Sequence, residues 1–373
     1  MASGDPVIDG KTTDLMNYIN VKASPYNALG NGTTNDTTAF NSAIAVANAS
    51  GATLFIPAGR YLITPGGMTT ITTNVDGPNA ILQASTIASA ALVSHYRWES
   101  NDIGAFFRLK GLYGYGASMS SYNPADHYGY GLNLGASHTY FVTYEIQNII
   151  GFLVGVYLNG TQAGAHLATN EFKFQFVAGN YYGIYFNNGT GGVQPLESNR
   201  FTITYMVLNY INIYMQSAPD AAWPKVIVNN LFDIVCMELH QQDGDTGFYL
   251  AGSQVSGNVF KVHGSFVTGT GYAVVGYSAH NNRFELSYLP FNKIAIDAGN
   301  VFDQRTTETT YSADFAIYGR ARSEVMDSAA PTVAYWRIGD ICWNTNPASG
   351  VLLWVARANG VGAAANWGTV NIN

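Results

Sequence analysis

The chain has 373 residues and a net charge of −7; charged residues are only 11% of it, while glycine occupies 40 positions and tyrosine 25. That balance excludes a charge-rich coiled coil and a disordered tail. The acidic excess without any Lys/Arg run excludes a binder of phosphate backbones, so no nucleic-acid partner is expected. The longest apolar run, Ile149 to Leu158, contains glycines and falls well short of the ~20 residues that span a bilayer, so no membrane insertion is expected. Cys236 and Cys342 lie far apart, which predicts two free, mostly buried thiols in place of a disulfide framework or a zinc site.

Residues 1–20 read as a polar leader without the charged-then-apolar pattern of a secretory signal, so an extracellular role implies release by lysis or another export route. Val21 to Gly32 then reads as a strand followed by turn chemistry. Asn35-Asp36 can cap a helix from about Thr37 to Asn48, whose Phe40, Ala43, Ile44 and Ala47 form one apolar stripe suited to capping the end of a solenoid. Gly51 to Ile63 reads as strand, tight turn, strand. Gly111 to Gly135 is rich in Gly, Tyr and Ser and reads as an excursion from the chain's regular path.

From Asn170 onward one phrase recurs, asparagine, any residue, phenylalanine: Asn170-Glu171-Phe172, Asn199-Arg200-Phe201, Asn230-Leu231-Phe232, Asn258-Val259-Phe260 and Asn282-Arg283-Phe284. A second phrase keeps step with it, at Gly155-Val156-Tyr157, Gly183-Ile184-Tyr185, Asn212-Ile213-Tyr214 and Gly247-Phe248-Tyr249. Two phrases in phase, with short β-branched and aromatic runs between turn residues, predict the coils of an all-β parallel β-helix solenoid. Alternation puts the five Phe residues inside, followed by Phe174, Ile203, Ile234, Val262 and Leu286. Lys173, Thr202, Asp233, Lys261 and Glu285 then form one outward column, which Glu145 extends downward, and Gln175, Thr204, Val235, His263 and Ser287 form a second. The repeated Asn residues are expected at turns, where Asn tolerates left-handed geometry. The solenoid is placed at 21–310. The repeat is read as stopping after Asp303, and 311–373, with Trp336, Trp343, Trp354 and Trp367, as a small C-terminal β-rich cap and trimerisation segment.

The stretch Val21 to Ile63 resembles the opening of the pectate-lyase-like right-handed parallel β-helix family found in bacteriophage tailspikes and polysaccharide depolymerases. The family's turn is matched by Asn27-Ala28-Leu29-Gly30-Asn31-Gly32-Thr33 and its hairpin by Phe55-Ile56-Pro57-Ala58-Gly59-Arg60-Tyr61, with Asn27 in place of a glycine and Asn31 and Asn35 in place of acids. The tail around Gly339 to Trp367 is similar to a segment closing many phage members. The resemblance implies a homotrimer, a place on a virion tail, and a bacterial capsular or exopolysaccharide as partner. These motifs shape the fold and are nearly silent on the reaction.

Hydrolysis of a glycan needs two carboxyls flanking the bond. Asp233 and Glu285 share a column two coils apart, and Glu238, Asp243 and Asp245 lie just beyond the strand of Asp233, so Asp233, Glu238 and Glu285 are the acid candidates. Elimination from a uronate needs a base and a cation; Lys261 and His263 share a face, with Tyr205, His240 and Tyr288 able to approach. Lys173, Tyr205, His240, Asp243, Asp245 and Tyr288 are the substrate-binding candidates. The same charges alternate in sign, as a surface ion-pair ladder does. The histidines His95, His127, His138 and His166 show no metal-ligand spacing, and no metal or other cofactor is expected, although Asp243 and Asp245 could hold calcium. The reading is a depolymerase, with hydrolysis ahead of elimination; the rival is a non-catalytic glycan-binding adhesin.

Overall fold

The computed structural model describes residues 18–97, 104–115, 128–135, 137–161, 166–188, 195–217, 227–239, 246–267, 272–277, 279–287, 294–296, 300–305, 316–317, 324–327, 335–336, 341–344, 351–357, 360–361 and 367–371. The coils stack their strands into three parallel sheets of 13, 9 and 5 strands, the last confined to the coils between Thr139 and Ser256. One coil, for instance, runs Leu167–Ala168, Glu171–Ala178 and Tyr182–Asn188, strands of the 5-, 13- and 9-stranded sheets respectively. Successive coils stack in register, so Phe172 pairs with Phe201, Phe201 with Phe232, Phe232 with Phe260 and Phe260 with Phe284. The expected parallel β-helix is the observed fold.

Inside, alternation in the long sheet turns the five phenylalanines into a continuous stack. All are fully buried, with neighbouring ring centroids 4.4, 4.6, 5.1 and 4.8 Å apart and their planes nearly parallel. Stacked, offset rings add a geometric term to the burial of their area.

The repeated asparagines do not sit at left-handed positions. The left-handed residue is the one before each of them, Thr169 (φ 57°), Ser198 (56°), Asn229 (56°), Gly257 (69°) and Asn281 (55°), while the phrase asparagines are themselves buried. They form a ladder: Asn170 Nδ2 donates to Asn199 Oδ1 at 3.0 Å, and the pattern continues through Asn230, Asn258 and Asn282 to Asn300. Each amide also donates to a backbone carbonyl, for example Asn230 to Leu196, so the buried polar groups are satisfied in both directions.

Asn300 belongs to a sixth copy, Asn300-Val301-Phe302, whose strand Val301–Arg305 pairs with Arg283–Ser287. Ala316–Ile317 still pairs in the 9-stranded sheet. The phrase thus has a sixth copy that ends just before Asp303, 18 residues after the fifth, and the solenoid continues past residue 310. Beyond it, Glu324–Asp327, Ile341–Asn344, Val351–Ala356 and Trp367–Asn371 form a separate 4-stranded sheet with Cys342 buried. Cys236 is only partly buried.

The helix runs Thr37–Ser50 and buries Phe40, Ala43, Ile44 and Ala47, the stripe read from sequence; Gly51 ends it in the left-handed conformation (φ 71°). Asp36 precedes it without a side-chain cap bond. Its carboxylate accepts instead from the backbone N–H of Leu29 (2.7 Å) and Gly30 (3.0 Å), which ties the entering turn to the helix start. At Gly30 (φ 59°) a Cβ would stand 2.6 Å from the Tyr61 ring, so only glycine fits. Thr53–Phe55 and Gly59–Ile63 are not a hairpin: both pair in parallel with Val75–Ala84. The Gly/Tyr-rich stretch begins inside the strand Ala105–Tyr113 and ends at Gly135, just after the strand Tyr130–Leu134; residues 116–127 lie outside the described residues.

Candidate functional site

The outer face of the long sheet carries the expected column in register. Asp76 pairs with Arg108, Arg108 with Glu145, Glu145 with Lys173, Lys173 with Thr202, Thr202 with Asp233, Asp233 with Lys261, Lys261 with Glu285 and Glu285 with Asp303. Opposite charges on adjacent rungs attract. In the lower coils Glu145 is bridged by Arg108 (Nε–Oε2 3.2 Å) and Lys173 (Nζ–Oε1 3.5 Å), and Lys173 also meets Glu171 at 2.9 Å. Its hydrogen bond to Glu171 is the main cause holding the Lys173 ammonium above its ordinary range. It stays a cation.

In the upper coils Asp233 Oδ1 lies 2.7 Å from Nε2 of His263, and Glu285 is held by Lys261 (3.2 Å) and Arg283 (2.9 Å). The structure thus brings Asp233, Lys261, His263 and Glu285 together. With Lys261 on the rung between them, the two carboxylate-bearing strands are about 9 to 10 Å apart by strand spacing.

Glu238 does not join this group. It lies within the strand Leu231–Leu239, not beyond it, and inward-outward alternation breaks where the adjacent residues Val235 and Cys236 both face outward. Past that bend Glu238 shares a facet with Cys236, whose thiol is pushed up first by burial and then by the Glu238 charge. Tyr205, at the same bend, stacks on Phe176 with centroids 4.9 Å apart. His240, Asp243, Asp245 and Tyr288 lie outside the described residues. Among the described residues no group of three or more His, Cys, Asp or Glu could hold a metal ion.

The concavity of this face lies lower than the charged cluster around Asp233. A groove of about 520 Å³ is walled by Pro78, Arg108, Glu145, Lys173, Gln175 and Thr204, among others. Of the expected substrate-binding residues it contains Lys173. Arg108 escaped sequence reading because its coil lacks the Asn-x-Phe phrase and could not be aligned; its one signal is a cation a coil below Glu145.

Residues 18–106 match the model of the family described as Rhamnogalacturonase A/epimerase, pectate lyase-like. The opening coils are pectate-lyase-like. The match covers the turn and helix described above and stops before Arg108, so the groove's charged residues lie outside it. No curated protein matches the chain. Among solved structures it is similar to ORF18 of Geobacillus virus E2, with 14% identity and a TM-score of 0.47 over 95% of this chain and 69% of that one. It is also similar to the Dettilon tailspike protein gp208 (14%, TM-score 0.32, 83% and 69%). A third is the family 28 exopolygalacturonase of Yersinia enterocolitica (13%, TM-score 0.32, 82% and 78%).

Proposed function

We propose that the protein is a tailspike-type depolymerase that holds a bacterial surface polysaccharide along the outer face of its long sheet and cuts it, working as a homotrimer on a virion tail or after release by lysis. The observation that carries this reading is the groove: a channel of largely apolar lining in which Arg108 and Lys173 flank Glu145, on a face whose upper coils hold a second charged cluster. Two cations beside a largely apolar lining suit an acidic sugar chain, since carboxylates on the sugar can replace Glu145 as partner of either cation. The matched family is named for a rhamnogalacturonase and an epimerase, which fits a polysaccharide substrate.

For the cut itself, the strands that bear Asp233 and Glu285 are spaced near the wide end of the carboxyl separation used by inverting hydrolysis, about 6.5 to 9.5 Å. Glu238 is the acid of the neighbouring facet. A second reading, elimination, is favoured by the pairing of His263 with Asp233 beside Lys261, a candidate base next to a cation. Purified capsular and exopolysaccharides, scored by reducing ends and by absorbance near 235 nm, test both. Reducing ends alone mean hydrolysis, absorbance growth means elimination, and binding with neither means an adhesin and overturns the enzyme reading. Under hydrolysis, Asp233→Asn and Glu285→Gln each lower turnover by at least ~100-fold with the melting temperature nearly unchanged, whereas Asp76→Asn does neither. If Lys261→Ala and His263→Ala abolish activity and the acid variants do not, elimination takes its place.

A further inference from the structure

A different cluster sits across the turn from the groove, on the sheet of short strands. Thr139–Tyr140, Leu167–Ala168 and Leu196–Glu197 pair in register, so Tyr140, Ala168 and Glu197 occupy successive rungs. The middle rung carries only a methyl group. Into the space between phenol and carboxylate comes the ring of His166, from the residue just before Leu167: its Nδ1 is 2.6 Å from Tyr140 Oη and its Nε2 is 3.0 Å from Glu197 Oε1. The cluster is sheltered but reachable, with 21% of the His166 side chain and 33% of the Glu197 side chain exposed. His138 packs its ring parallel to Tyr140 at 5.8 Å and edge-on to His166 at 6.3 Å.

The chemistry of the three groups sets their order. A carboxylate only accepts, so Glu197 takes the proton-bearing Nε2 of His166 and leaves the Nδ1 lone pair to the Tyr140 hydroxyl. Hydroxyl, imidazole and carboxylate are then in line, the arrangement by which a base and an orienting group activate a hydroxyl. A second observation points to a ligand here. Phe141, next in the chain, is 51% exposed and held at φ 56°, a conformation costly for a bulky residue. In the coils above, the same turn position is Thr169, Ser198, Asn229, Gly257 and Asn281, small or polar residues throughout. Among the described turns at this position only this one presents an apolar ring, beside the phenol at 6.4 Å between centroids, where a sugar ring can pack against it.

We propose that Tyr140, His166 and Glu197 form a proton-relay site, separate from the Asp233–Glu285 cluster, that takes a uronate-bearing glycan against Phe141 and cleaves it by elimination. Tyr140 is the catalytic residue; His166 and Glu197 act through it. In the first half of the step the proton on the carbon beside the uronate carboxylate passes to Tyr140 Oη as the phenol's own proton passes to His166 Nδ1, and the imidazolium faces the Glu197 carboxylate. The C–H electron pair becomes the new C=C bond as the C–O bond to the next sugar breaks. The proton then returns through Tyr140 to that sugar's oxygen. One proton leaves and one comes back, and nothing else is consumed. One relay with a single committed carboxylate suits this better than hydrolysis, which asks for two carboxyls flanking the bond. Burial, and after it the Glu197 charge, hold the Tyr140 phenol above its ordinary range, so it rests protonated and can serve in both directions.

The proposal extends the polysaccharide reading and is tested with polygalacturonate, polymannuronate, polyguluronate and hyaluronan as probes, following absorbance near 235 nm and reducing ends together. The expected result is absorbance growth on at least one probe. It falls at least ~100-fold in Tyr140→Phe, which keeps the ring and drops only the oxygen, and is unchanged in Asp76→Asn. Glu197→Gln is expected to slow the reaction about tenfold and to shift its pH profile, a change that a purely structural residue would not produce. If Tyr140→Phe does not fold by its melting curve, the Glu197→Gln pH profile decides. Absorbance growth that survives Tyr140→Phe but not His263→Ala overturns the relay and leaves elimination at the upper cluster. No 235 nm product from any probe also overturns it; if reducing ends then form on another glycan, the depolymerase reading stands, and if no glycan is bound or cut, both fall.

Discussion

The two sides of the long sheet are built by alternate residues of the same strands, yet they behave as different materials. Inward, the column is uniform: Phe172, Phe201, Phe232, Phe260 and Phe284 stack face to face, flanked by an unbroken run of buried asparagines. Outward, the column changes from rung to rung, through Arg108, Glu145, Lys173, Thr202, Asp233, Lys261 and Glu285. Uniformity is what stacking requires, because each ring or amide is partner to its own kind above and below. Exposed ion pairs contribute little to stability, so the outer column is free to vary.

The contrast breaks most visibly if the inner column is interrupted. Phe232→Ala removes a ring packed on both faces and is expected to cost about 3 to 5 kcal/mol in guanidinium unfolding. The next effect is in the coils below Val142, where the described interior lacks the asparagine ladder and holds His95 instead. There Nε2 of His95 lies 3.1 Å from the Thr73 carbonyl and Nδ1 2.8 Å from the Tyr144 hydroxyl. Burial, and to a lesser degree the Arg97 charge, lower its pKa to about 4. Between about 4 and the ordinary 6.5 the unfolded chain binds a proton that the folded chain refuses. The His95 contribution is therefore full above pH 6.5, declines as pH falls, and levels off below about 4, for a change of about 3 kcal/mol. His95→Gln should flatten that part of the stability-against-pH curve; an unchanged curve would refute the assignment.

Asn230→Ala sharpens the comparison further, since it strands the Asn199 and Asn258 amides in the interior, at about 1 to 3 kcal/mol by the same unfolding measurement. The smallest effect is expected outside. Glu145→Gln should move stability by less than about 1 kcal/mol although it loosens contacts with both Arg108 and Lys173. A loss as large as that of Phe232→Ala would mean that the outer column is structural after all.

Register was legible in the sequence because each regular coil carries both an asparagine and a phenylalanine at fixed offset, and the helix because its apolar stripe has the period of one face. What escaped did so for local reasons. Asn300-Val301-Phe302 follows a shorter loop, and loop length is not constrained by the stacking of strands. The break in alternation after Val235 moved Glu238 to another facet, and nothing in the residue types there announces a bend. Arg108 sits in a coil without the phrase. Tyr140, His166 and Glu197 belong to strands of two residues or precede them, too short for any periodicity to register. The coil repeat alone could have aligned Tyr140, Ala168 and Glu197, had the short strands been recognised as a third sheet.

The asparagine ladder also has a mechanical side. Its bonds run between coils, parallel to the axis, and from Asn170 to Asn300 each rung joins one coil to the next by a side-chain and a backbone N–H to the same carbonyl oxygen, as at Asn230 with Asn258. A pull along the axis loads these bonds in parallel with the sheet bonds across each gap between coils, while the gaps themselves lie in series, and a column in series parts at its weakest joint. The ladder begins where the Val142 N–H meets Asn170. Under tension the solenoid is therefore expected to yield first among the coils below Val142, leaving the upper cluster of Asp233 and Glu285 on the part that holds.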